Sequence, residues 1–438
     1  MFVNFRALCL GALLAAGYGS AAARGADQNP MSGTETIDLA QAVALAVQND
    51  PGIAGSRREA EAQSAAAIAD AQWADPTVRI GVANLPTDSL AFDQQPMTQK
   101  VIGIRQQLPR GDSARLAGER GALRAESGFA RSDDRERQLV RDVSRTFMTL
   151  AEQLRTRDLL QQNRARLAEL VSYNRTRLAE TQIQSQQLLQ SQLAVARVDD
   201  RIVAVDGDIH TTRSELSRWL GAAAWRHIDR SLPHWARLEQ WLTSVSLPIQ
   251  ADAIAGHPAL LAAEAEVSAR GAEVALAREA YKPQWSLEVS YGQRELTPLS
   301  DGSDLASATV SFDLPLFTGK RQDKRLASAQ AREGAGILAR QNLQLALLAG
   351  LNAAATNAHS LAQRRQLYQH SLLDEAEATA AAVLRGYASD TTDLDAVIDA
   401  RLDVIEAQIN AVRLDYGYYR ALAQVRYFLA QTQVPASK

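Results

Sequence analysis

Apolar side chains recur in the last part of the chain with a strict alternation of four and three. Ile398, Leu402, Ile405, Ile409, Val412, Tyr416 and Tyr419 follow this spacing, which keeps one seam along a supercoiled helix. A second arm, starting at Gly319, keeps helical character for roughly 65 residues, a rod on the order of 100 Å. Between the arms, Arg385-Gly-Tyr-Ala-Ser-Asp-Thr-Thr-Asp393 offers a glycine and then helix-capping types, so the chain is expected to reverse there. Other stretches have a period of two. Trp285, Leu287, Val289 and Tyr291 alternate with Ser286, Glu288 and Ser290, while Ala308, Val310, Phe312 and Leu314 alternate with Ser307, Thr309, Ser311 and Asp313. Such segments predict strands with one oily and one wet face.

The same order of landmarks occurs twice. Asp50-Pro51 answers to His257-Pro258 and Pro76 to Pro283 at an offset of 207; Leu108-Pro109 answers to Leu314-Pro315 at 206, and Gly111 to Gly319 at 208. The chain is therefore read as an internal duplication, each half being helix, helix, strand, strand, very long helix, turn, long helix. The first repeat is expected over 37–220, with strands 77–85 and 98–108 and helices 111–176 and 186–220. The second is expected over 248–431, with strands 284–292 and 305–315 and helices 319–385 and 391–430. Residues 221–247, which carry Trp225, Trp235 and Trp241, are expected to form a compact belt on the outside of the helices. The fold class is mainly α with a small β part.

At the N-terminus, Arg6 precedes Ala7-Leu-Cys-Leu-Gly-Ala-Leu-Leu-Ala-Ala16 and then Ala21-Ala22-Ala23. This predicts a secretory signal, 1–23, cleaved near Ala23, followed by a flexible segment 24–36; a tail of 432–438 closes the chain. The apolar run is too short for the ~20 residues of a spanning helix. The single cysteine, Cys9, lies inside the expected signal, too early for a lipidation site. A net charge of −3 gives no basic field to attract nucleic acid. With no long apolar helix in the sequence, any membrane crossing falls to the strands. Four strands are too few to close a barrel and open edges are not tolerated in lipid, so closure requires several copies. Three copies would supply twelve strands and a hollow cylinder of long helices.

Several motifs resemble the TolC-like outer-membrane efflux channel family over essentially all of 37–431. They are Ile37-Asp-Leu-Ala-Gln-Ala-Val-Ala-Leu-Ala46 before Asn49-Asp-Pro51, Leu314-Pro-Leu-Phe-Thr-Gly319, and Thr392-Asp-Leu-Asp-Ala-Val397 after the second turn. Residues 74–86 and 101–112 are most similar to the heavy-metal branch, the cobalt-zinc-cadmium and copper resistance channels. The resemblance implies a homotrimeric tunnel with a 12-stranded β-barrel in outer-membrane lipid and a helical barrel across the periplasm. Its helix-turn tips would dock on a periplasmic adaptor (membrane fusion protein) coupled to an inner-membrane RND-type pump. Two features depart from the family: Thr181 and Ser389 stand where tips often carry glycine, and no lipidated cysteine is in place.

The site candidates follow from this layout. Trp285, Leu287, Val289, Tyr291, Ala308, Val310, Phe312 and Leu314 are the lipid-facing strand set. Asp390, Asp393, Asp395 and Asp399 are candidates for a carboxylate ring at the aperture, with helix capping the competing role for Asp390 and Asp393. Leu178, Thr181, Ile183, Ser185, Gly386, Ser389 and Thr392 are candidates for adaptor docking. The six histidines form no close-spaced ligand pair, and no phosphate loop or nucleophile elbow occurs, so neither an enzyme nor a metal or cofactor site is expected. The expected function is a passive exit duct for heavy-metal cations. A multidrug or type I secretion duct of the same fold, or a soluble periplasmic coiled-coil scaffold, is the alternative.

Overall fold

The computed structural model describes residues 36–180, 183–296 and 302–429. The expected signal, most of segment 24–36, Thr181 and the C-terminal tail lie outside them. Helices α1 (Leu39–Asn49) and α2 (Pro51–Asp70) are separated only by Asp50. The repeated X-Pro landmark is thus a helix start as well as a stop. Asp50 Oδ1 accepts the Ile53 N–H at 2.7 Å, and His257 Nδ1 accepts the Ala259 N–H at 3.2 Å at the head of α6 (Pro258–Glu279). Proline at the first helical position sacrifices an N–H that would have had no partner anyway.

The rods are α3 (Ser113–Ala179), α4 (Ser185–Leu220), α7 (Gln322–Leu367), α8 (Leu373–Ala388) and α9 (Leu394–Phe428). A π turn over Tyr368–Leu372 splices α7 to α8, so the two continue as one rod that matches α3 in length. Helix α3 joins all the parts. Its first half packs on α2 and α6, as where Ser127 Oγ donates to the Ala262 carbonyl at 2.8 Å. Its second half packs on α4 and α9, as where Asn163 Nδ2 donates to Gln408 Oε1 at 2.9 Å.

Belt residues, including α5 (Ala236–Ser244), are built into the main core and do more than cover it. Ile228, Leu238 and Leu242 are buried with Val143, Phe147 and Leu150 of α3, Leu351 and Ala355 of α7, and Leu422 and Val425 of α9. Each such large aliphatic group contributes about 1.5–3 kcal/mol on burial. The belt is also tied to the start of the described chain, where Ile37 pairs with Ile228 in an isolated bridge.

Strands β1 (Thr77–Ala83), β2 (Gln99–Gln107), β3 (Trp285–Arg294) and β4 (Leu305–Phe312) form one antiparallel sheet in that order. The β2–β3 pairing, from Gln99 opposite Arg294 to Gln107 opposite Ser286, joins the two repeats. Leu314 lies two residues beyond β4, in the irregular segment that leads to α7. An ordinary sheet packed against the helices is not what the chain builds. Nearly every residue of β1 and β4 is exposed on both faces, and neither strand has a partner on its outer edge among the described residues.

Candidate functional site

Directly opposed residues of antiparallel strands share a face, so the register sorts the sheet. Leu287 lies opposite Val310, Val289 opposite Ala308 and Trp285 opposite Phe312. Across the other pairing, Ile104 lies opposite Val289 and Ile102 opposite Tyr291, while Val78 and Ile80 face Ile104 and Ile102 in turn. One continuous apolar face results. Seven of the eight sequence-predicted strand residues are on it, and Leu314 lies past its end. Ile80 is 79% exposed and Val310 61%.

Val78, Ile80, Val82, Ile102 and Ile104 complete this face, beyond the eight residues expected from the sequence. Their own alternation, Val78-x-Ile80-x-Val82 and Ile102-x-Ile104, carried the same signal. The opposite face is wet: Arg79 and Glu288 pair across it at 3.0 Å, and Arg105 Nη2 donates to Ser286 Oγ at 3.1 Å. At the far rim of the apolar face, Lys100 pairs with Glu295 at 2.8 Å. The Trp285 and Phe312 rings meet at 4.6 Å at the end nearest the helices.

At the other end of the rods, both helix turns come together. The α8 terminus is a Schellman-type stop, with the Thr391 N–H donating to the Gly386 carbonyl at 2.8 Å and the Asp390 N–H to the Tyr387 carbonyl at 3.2 Å. The left-handed residue of that stop is Asp390, with φ of 54°, and Ser389 stays right-handed. This resolves the missing tip glycine: aspartate is one of the few other residues that visit this region.

The capping role for the two aspartates needs correction. Asp390 closes α8 and does not start α9, and Asp393, although at the N-cap of α9, makes no side-chain capping bond. Asp390 instead pairs with Arg177 at 2.6 Å. That guanidinium lies over the rings of Tyr173 and Tyr387, and the Tyr387 hydroxyl donates to Asn174 Oδ1 at 2.9 Å. The hydrogen bond to Asp390 raises the pKa of Arg177 further, so it stays charged. Arg177, Tyr173, Asn174 and Tyr387 were absent from the sequence-stated candidates, because partners more than 200 residues apart leave no local signal.

Of the other aperture candidates, Asp395 and Asp399 are exposed on the first turns of α9, Asp395 accepting a long bond from Gln190 at 3.4 Å. Among the docking candidates, Ser185 and Ser389 are exposed and Leu178, Ile183, Gly386 and Thr392 are half-buried around the two turns; Thr181 lies outside the described residues. The tips rest on a small core of Leu170, Ala194, Tyr387, Leu394, Val397 and Ile398.

Comparison with known proteins bears on this architecture. Residues 250–431 match the family model described as outer membrane efflux protein. Outer membrane protein OprJ of Pseudomonas aeruginosa is 36% identical over 86 residues, a stretch spanning 19% of this chain and 18% of OprJ. A membrane protein of known structure from Pseudomonas aeruginosa superposes with a TM-score of 0.74 at 18% identity, covering 89% of this chain and 92% of its own. CusC, whose crystal structures were described in terms of folding and transmembrane channel formation, gives 0.75 at 14% identity, covering 91% and 92%. These superpositions establish the fold: it is that of the TolC-like outer-membrane channels.

Proposed function

We propose that the chain is an outer membrane efflux protein, three copies of which close into an exit duct through the outer membrane of a Gram-negative bacterium. The observation that carries this reading is the sheet, which among the described residues has one uncovered apolar face, one polar face and two unpaired edges. Lipid would cover the first, water in a lumen would wet the second, and sister subunits would satisfy the third. The helical rods would carry the passage across the periplasm. Their paired turns at Leu178, Ile183, Ser185, Gly386, Ser389 and Thr392 would meet a periplasmic adaptor, itself joined to an RND-type inner-membrane pump. The role is passive conduction, with energy and selection supplied by those partners.

The cargo assigned is heavy-metal cations. This rests on the resemblance of 74–86 and 101–112 to the heavy-metal branch, and on the exposed carboxylates Asp395 and Asp399 near the tip, where a threefold ring would hold a negative potential. The test has two parts. Purified protein reconstituted in planar bilayers should conduct, and a water-soluble monomer without conductance would remove the duct. Deletion should sensitise cells to zinc, cobalt, cadmium or copper; sensitivity to hydrophobic drugs alone would replace the cargo while keeping the duct.

A further inference from the structure

Between α3 and α7, along the second half of α9, runs a groove of about 670 Å3. Arg145 of α3, Arg364 of α7 and Arg413 and Arg420 of α9 line it, with Asn357 and Asn410, and no carboxylate does. Glu152 offsets part of this charge from one side: it pairs with Arg420 and lies 4.0 Å from Arg413. Arg145 and Arg364 have no ion pair and no side-chain hydrogen bond among the described residues. Other arginines on these rods are paired one to one, as in Arg365–Asp415, Arg164–Asp199 and Arg340–Glu264, or stand singly and unpaired among the described residues, as do Arg197 and Arg332. Four guanidinium groups against one carboxylate, converging on a concavity of ligand size, set this place apart.

The charge is also ordered along α9. Asp399, Asp403 and Glu406 lie on one exposed stripe near the tip, and Asn410, Arg413, Gly417 and Arg420 continue the same stripe at alternating spacings of three and four. The sign therefore reverses about two turns along the helix. The stripe is on a different face from the belt contacts of α9, where the Tyr416 hydroxyl donates to the Arg230 carbonyl at 2.6 Å and Tyr419 meets Trp235 edge-on. In a duct with the belt on its outside, the stripe would face the lumen.

We propose that this groove binds small multivalent anions through their phosphate or carboxylate oxygens. Guanidinium forks match such oxyanions in pairs, and two of the four lack a competing partner. In the duct, three such grooves form an arginine girdle at the waist above the carboxylates of the tip. The girdle makes the waist anion-selective, so that cationic cargo passes it together with anions and not as bare ions. The selectivity rests on the duct reading; the binding does not.

The experiment uses the full-length purified protein and inorganic tripolyphosphate as probe. Calorimetry should show binding to the wild type that weakens more than about tenfold in the Arg145→Gln/Arg364→Gln double variant, the loss expected for charge-assisted contacts of this kind. Both side chains are exposed and unpaired, so the variant should keep the wild-type melting temperature. In bilayers under a salt gradient, the wild-type reversal potential should indicate anion preference, and the double variant should shift it toward cations. Equal binding by both proteins, or no binding by either, overturns the site. Conductance with an unchanged reversal potential overturns the girdle, whereas absence of any conductance with tripolyphosphate binding retained removes the duct and leaves the site standing.

Discussion

At the tip, one residue combines two opposed demands. Asp390 must sit in the left-handed region to end α8, and its carboxylate reaches Arg177. The two partners differ in environment, since the Arg177 side chain is 11% exposed and that of Asp390 74%. Water and salt screen the pair from the Asp390 side, so the ion pair itself is worth little. Arg177 gains more from the two tyrosine rings beneath it. Asp390→Asn, which keeps tolerance of the left-handed region, should therefore change amide exchange around the turns only slightly. Asp390→Val adds strain of about 1–2 kcal/mol, and Arg177→Ala strips the rings of their cover. Both should speed exchange at 174–178 and 387–391 markedly. A large effect of Asp390→Asn alone would show that the charge, and not the packing, holds the tip.

His257 poses a different question at the same scale. It is fully buried, its Nδ1 accepts the Ala259 N–H, and its ring stands edge-on to Tyr427 at 5.0 Å. Burial pushes its pKa below the ordinary 6.5; Arg137 on α3 pushes the same way, and Asp134 on α3, 3.9 Å from Nδ1, opposes them. The native state thus takes up a proton at this ring only at lower pH than the unfolded chain, which does so below about pH 6.5. Stability from this group is present above that pH and falls as pH drops, by at most about 1.4 kcal/mol per unit. The melting temperature should fall between pH 7.5 and 5.5 more steeply in the wild type than in His257→Asn, which keeps an N-cap and removes the titration. Parallel pH profiles would show that the ring does not govern this range.

The contrast between elements lies in what the spacing can say about contact. The seam of α9 and the alternation of β3 and β4 were legible because each repeats within one element, and the register then placed Trp285 to Phe312 on a single face. Two things were not legible: which helices meet, and how closely. A Cβ built on Gly121 of α3 would lie 2.6 Å from the Cβ and 2.9 Å from the Cα of Ala67 on α2, so the two backbones nearly touch. The glycine gives up about 1 kcal/mol of helix propensity for that approach. Gly121→Ala should nevertheless destabilise the protein by about 1–3 kcal/mol, because backbone and not a flexible side chain must move. Gly55→Ala, where nothing lies within 4 Å of the new methyl, should stabilise it. Thermal melts of the two variants should shift in opposite directions, and equal shifts would mean that α2 yields freely.

For the whole molecule, the sheet asks for something a single chain cannot provide. Its helices satisfy their backbone internally, but among the described residues β1 and β4 each leave an edge unpaired, and the face between them is apolar from Val78 to Val310. Left in water, that face and those edges are an aggregation surface; closed threefold in lipid, they are satisfied. Val289 and Ser290 are adjacent on β3 and point to opposite faces, so they distinguish the two environments with one substitution each. Val289→Arg places a charge on the apolar face, at a cost of about 2–4 kcal/mol near the middle of a bilayer. Ser290→Arg places the same charge on the face that already carries Arg79 and Glu288. A barrel should lose assembled, detergent-extracted trimer with the first substitution and tolerate the second. A sheet that stays in water should accept both, because neither charge would then leave solvent.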